Sequence, residues 1–143
     1  MATINATVSI SSNIMSYPVT INKTMTMKKA ASCHGLEETT GLGYKKYTAT
    51  TQVTLLDVSA ETAAVNKASK VYIRNTGSSR DNFFYVALNN SAAASDTTET
   101  IGKLYGGDWM LIPWIATAAT THDIVVAPNT ADEMTLEWML FIE

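Results

Sequence analysis

The chain is short of the residues that cross-link, titrate near neutral pH or carry charge. It has 143 residues and one cysteine, Cys33, so it cannot form the internal disulfides that hold many small secreted domains together. Its histidines are His34 and His122 alone, which leaves few general bases. Charged residues make up 16%, against roughly 25% in typical soluble domains. The net charge is −3, and Lys28-Lys29 and Lys45-Lys46 are the only basic doublets. Neutralising several phosphates takes a clustered basic surface, so neither nucleic acid nor an anionic membrane is an expected partner. Met1 to Asn5 shows no basic stretch leading into an apolar run, so no signal peptide is expected. Trp109 to Thr121 is the longest charge-free apolar stretch. It is too short to span a bilayer, and Pro113 interrupts it. The expectation is synthesis in a cytoplasm, followed by a soluble life or entry into an assembly.

Apolar residues make up 46%, enough for one packed domain of this length without metal or cross-links. Thr, Ser, Ala and Asn take the place of the missing charge. Such a surface can be buried against a partner at little desolvation cost; a compositional habit of the source explains it equally well.

Short runs of Thr, Val, Ile, Tyr, Phe and Trp separated by turn residues dominate the pattern. Thr7 to Ile10 and Thr24 to Lys28 alternate as half-buried strands do. Tyr47–Leu56, Val71–Arg74, Phe83–Leu88, Ile101–Tyr105, Trp109–Trp114, Asp123–Ala127 and Thr135–Ile142 read as further strands. Gly106-Gly107-Asp108 reads as a hairpin turn. Pro113 inside a strand points to an edge or a bulge. Ser59 to Ser69 is the only helical stretch, with Ser59 as its cap, and amounts to a loop with one turn. The fold expected is all-β: an antiparallel, jelly-roll-like β-sandwich of eight or nine strands with little or no helix. It forms one domain over residues 1–143. Residues 1–50 form an extended arm or irregular first sheet before a better packed body from about Val53.

The strands 83–88, 109–112 and 136–141 are apolar on both faces, whereas an antiparallel sandwich normally keeps one face of each sheet wet. Either a packed loop or a neighbouring subunit must cover the second face.

No catalytic, cofactor or metal site emerges. Cys33-His34 places a thiol beside an imidazole, but adjacent strand residues point to opposite faces. Cys33, His34, Glu37 and Glu38 lack a second Cys or His at zinc spacing. His122-Asp123 reads as a turn-stabilising pair. The acid pairs Asp57/Glu61, Asp96/Glu99 and Asp132/Glu133 read as solvated loops, and Gly41-Leu42-Gly43 lacks the rest of a dinucleotide fingerprint. The sequons at Asn5, Asn22 and Asn89 read as accidents of a Thr- and Asn-rich chain. The residues that stand out are aromatic: Phe83, Phe84, Tyr85, Trp109, Trp114 and Trp138. Packing in a core or subunit interface is the commoner fate of such side chains, and stacking on a sugar is the alternative. Trp109 and Trp114, five positions apart, face opposite ways on a regular strand.

Several of these stretches carry a resemblance. Lys70–Gly77 with Asn82–Leu88, Leu104–Trp114, Asp123–Ala127 and Leu136–Phe141 resemble, in order, small β-sandwich virion proteins of tailed bacteriophages, of the type that decorates or cements the capsid. The likeness covers roughly residues 70 to 143 and consists of strand-and-turn patterns. It implies a non-enzymatic protein on the outer head surface, bound to the major capsid protein lattice, often as a homotrimer. A carbohydrate-binding or fibre-associated adhesive module is the alternative.

Overall fold

Alternation in the first thirty residues builds a long ribbon. The computed structural model describes residues 3–13, 18–29, 35–36, 38–61, 64, 67, 69–88, 100–116 and 122–142. They fall into two compact units, Met1–Glu37 and Glu38–Glu143. In the first, β1 (Thr3–Ser12) and β2 (Val19–Lys29) pair antiparallel, from Thr3↔Lys28 to Ser12↔Val19. The two-residue β3 (Gly35–Leu36) adds to β2 in parallel.

Strict period-2 alternation sorts this ribbon into two unlike faces. One carries the pairs Asn5–Thr26, Thr7–Thr24, Ser9–Asn22 and Ser11–Thr20. Its side chains bond across the strands, with Thr7 and Thr24 hydroxyls 2.9 Å apart and the Thr26 hydroxyl donating to Asn5 Oδ1 at 2.8 Å. The other carries Ile4–Met27, Ala6–Met25, Val8–Lys23 and Ile10–Ile21. Met27 is fully buried, whereas Val8, Ile10 and Ile21 are each at least 40% exposed.

The second unit is an antiparallel β-sandwich. Its first sheet runs β10 (Trp109–Trp114), β7 (Ser69–Asn75), β12 (Met134–Ile142). The free side of β12 is shared by β5 (Gly43–Tyr47), opposite Met134–Trp138, and β4 (Glu38–Thr39), opposite Phe141–Ile142. The second sheet runs β6 (Val53–Leu56), β11 (Ile124–Pro128), β8 (Phe83–Leu88), β9 (Thr100–Tyr105). β7 shows the expected alternation, with Ser69, Val71, Ile73 and Asn75 buried and Arg74 exposed. Val71, Ile73, Trp114, Leu136 and Leu140 from one sheet meet Leu56, Phe84, Val86, Leu104, Ile124 and Val126 from the other in one core.

The described residues hold twelve strands, nine of them in the sandwich, and no α-helix. The body begins at Glu38 rather than near Val53, because β4 and β5 pair with β12. Around the proposed helical stretch, Asp57 rather than Ser59 is the acceptor: its Oδ1 takes hydrogen bonds from the Ser59 N–H at 2.7 Å and hydroxyl at 2.6 Å. Gly106-Gly107-Asp108 does not close a hairpin. β9 pairs with β8 and β10 with β7, so this turn carries the chain from one sheet to the other. Pro113 lies on β10, an edge strand, where its missing N–H removes no ladder bond.

Candidate binding surfaces

The six aromatic residues separate according to strand parity. Phe84 and Trp114 are buried in the core, and the Trp114 indole N–H donates to the His122 carbonyl at 2.7 Å. Trp138 packs against that core from β12. Phe83 and Tyr85 point to the opposite side of β8. There they form edge contacts with centroids 4.9 Å apart, Phe83 meets Tyr105 at 5.0 Å, and Lys103 Nζ lies 4.6 Å above Phe83. Next to them Ala87, Val125 and Ala127 are almost fully buried on the outer side of this sheet.

Trp109 has a different setting. It sits on the outer face of the first sheet and is 49% exposed. Register places it opposite Arg74; Arg74 lies opposite Glu137, and Glu137 opposite Tyr44. Side chains at paired positions share a face, so Trp109, Arg74, Glu137 and Tyr44 form one straight row across β10, β7, β12 and β5. Both ends of the row are open, since Tyr44 is 60% exposed. Its centre is built and partly dry. Glu137 is only 7% exposed, receives the Tyr72 hydroxyl at 2.6 Å and lies 3.5 Å from Arg74 Nη1. Desolvation, then the Glu137 carboxylate, raises the Tyr72 phenol above its ordinary pKa, and the same order of causes raises Tyr44. Tyr72 also supports Trp109, ring centroids 6.5 Å apart.

Sequence reasoning picked Trp109 from this row and missed Tyr44, Tyr72, Arg74 and Glu137. Their alternation was visible, but the pairing register that aligns them was not.

Of the groups weighed for chemistry, Cys33-His34, Glu37, Asp96, Glu99 and Asn89 lie outside the described residues, and among those described no set of three or more His, Cys, Asp or Glu residues is arranged to hold a metal. Asp123 is buried and accepts the Val58 N–H at 2.9 Å, so it pins the turn that follows β6. Glu133 pairs with Lys46 at 2.9 Å, and Asp132 contacts Asn82. Burial, then Glu38 and Asp57, pushes the Glu61 carboxyl up.

A cleft of about 360 Å³ lies beside the inter-sheet turn, lined by residues 75–79, Asn82, Gly106 and residues 133–135. Its buried Asn75 donates to the Leu104 carbonyl at 3.0 Å and accepts the Gly77 N–H at 3.0 Å. With both ends of that amide satisfied, Asn75 serves as a clasp between loops.

No family model, no curated protein and no solved structure matches this chain. No helix among the described residues is long and apolar enough to cross a membrane.

Proposed function

We propose that this protein is a non-enzymatic structural component of a phage virion that binds the outer surface of the capsid as a homo-oligomer and reinforces it. The observation that carries this reading is the two-faced N-terminal ribbon. A ribbon of two long strands with only a two-residue third is marginally stable in water, yet this pairing is the longest among the described residues and leaves Val8, Ile10 and Ile21 open on its apolar face. Burial against a protein lattice would remove that apolar surface from water at about 25 cal/mol per Å². The polar face, a Thr, Ser and Asn ladder, would stay wet. The resemblance of residues 70–143 to capsid-decorating sandwiches points the same way.

Co-sedimentation with expanded capsids of the encoding phage tests this. The wild-type chain should pellet with the capsids at saturating stoichiometry, and a Val8→Ser, Ile10→Ser, Ile21→Ser variant should stay in the supernatant while its sandwich unfolds at an unchanged temperature. A wild-type chain that ignores the capsids contradicts the proposal.

The second reading is an adhesive module that binds carbohydrate. The open ends of the row from Trp109 to Tyr44 favour it, and it does not compete with the first, because the ribbon and the row lie in different units.

A further inference from the structure

Resting on the carbohydrate-binding reading, we infer that the outer face of the β10-β7-β12-β5 sheet is a binding site for an uncharged oligosaccharide, with Arg74 at its centre and Trp109 and Tyr44 at its ends. A pyranose presents apolar C–H faces and a rim of hydroxyls. It therefore needs aromatic surface for the faces and paired donors and acceptors for the rim. The row supplies both. Trp109 and Tyr44 stand at its ends, 49% and 60% exposed, in a chain whose other two tryptophans are packed into or against its core. With strands about 4.8 Å apart, three strand steps set their Cα atoms about 14 Å from each other, a span for more than one ring.

The centre fits hydroxyls. Arg74 presents a fork of donors on a half-exposed side chain. Glu137, only 7% exposed, lies beneath and accepts the Tyr72 hydroxyl at 2.6 Å, with Arg74 Nη1 3.5 Å away. Pairing the guanidinium with a buried carboxylate limits its rotamer freedom before any ligand arrives, which lowers the ordering cost of binding.

Charge decides the ligand class. Arg74 and Glu137 cancel, the nearby Lys46 is matched by Glu133 at 2.9 Å, and Lys70, on the same face of β7, is itself engaged. The surface therefore does not select an anion. Single-stranded nucleic acid also stacks on aromatics but needs a positively charged groove, which a chain of net charge −3 does not offer here. An extended peptide adds to a free sheet edge through backbone bonds, whereas this row runs across the middle of a sheet. A neutral sugar is the class left that uses flat aromatics and an exposed donor whose charge is already paired.

The test is titration of the purified full chain with maltohexaose, cellohexaose, chitohexaose and the host's neutral surface polysaccharide, read by tryptophan fluorescence and calorimetry. Binding of at least one should change the emission of the exposed indole. Trp109→Ala and Tyr44→Ala should each weaken it roughly tenfold or more, while Trp109→Phe keeps part of it. Both positions are exposed, so the melting temperature should hold and serve as the folding control. Two results overturn the inference: no binding by any of the four saccharides, or binding that survives both alanine variants. Loss of capsid binding in Trp109→Ala without any saccharide binding would also overturn it, making the row a protein interface instead.

Discussion

The indole of Trp138 lies so close to the backbone of its cross-strand partner Gly43 that a Cβ there would stand 2.8 Å from the indole Cζ2. The glycine gives Trp138 its place on the inner side of β12. Gly43→Ala should push the ring toward the core and destabilise the sandwich by about 1–3 kcal/mol, the cost typical of overpacking. Chemical denaturation would show a lower midpoint at an unchanged slope. An unchanged midpoint would mean that the ring moves aside freely.

Gly106 faces a harder obstacle. A side chain there would overlap the backbone of Ser79, whose carbonyl accepts the Gly106 N–H at 3.0 Å. Backbone cannot rotate away as a side chain can. Gly106→Ala should therefore cost more than Gly43→Ala and loosen the clasp around Asn75. The amides of Gly106 and Gly107, bonded to Ser79 and Asn75, should lose protection from hydrogen exchange first.

Tyr47 gives the fold an alkaline limit. Burial pushes its phenol up to about 12 from the ordinary value of 10.0, and among the described residues its hydroxyl has no hydrogen-bond partner. The folded state holds this proton more tightly than the unfolded chain does. The stabilisation is complete below pH 10 and falls as the pH rises from about 10 to about 12. Tyr47→Phe should remove a large part of that loss. At pH 7 it should leave stability unchanged or raise it by about 1 kcal/mol, since it deletes an unsatisfied buried group. Thermal melts between pH 7 and 11 would compare the two slopes.

Arg74→Ala should cost about 1–2 kcal/mol, because it strips a partner from the buried Glu137 carboxylate while the exposed side of the guanidinium limits the loss. Glu137→Gln should cost less, since an amide oxygen still accepts the Tyr72 hydroxyl. Denaturant titration of both variants gives the order, and an unchanged midpoint in Arg74→Ala would show that the ion pair contributes nothing net.

Much of the sandwich was legible in local alternation. Val71 and Ile73 inward with Arg74 outward is a period-2 pattern that needs no partner to read, and the strand at Phe83–Leu88 matches its sequence range. What escaped depends on distant pairing. Nothing near Tyr44 indicates that β5 joins β12 some ninety residues later, so β4 and β5 looked like part of an arm. The Gly-Gly-Asp turn has hairpin chemistry, but the neighbours chosen by β9 and β10 decide that it crosses between sheets. The row of Trp109, Arg74, Glu137 and Tyr44 draws on four separate strands, so only register assembles it.

A reconstruction of particles of the phage proposed to carry this chain tests capsid attachment most directly. Attachment through the ribbon predicts copies on the outer head surface, with β1 and β2 against the shell. Copies confined to the tail or fibres, or a sandwich pressed to the shell with the ribbon free in solvent, would contradict it.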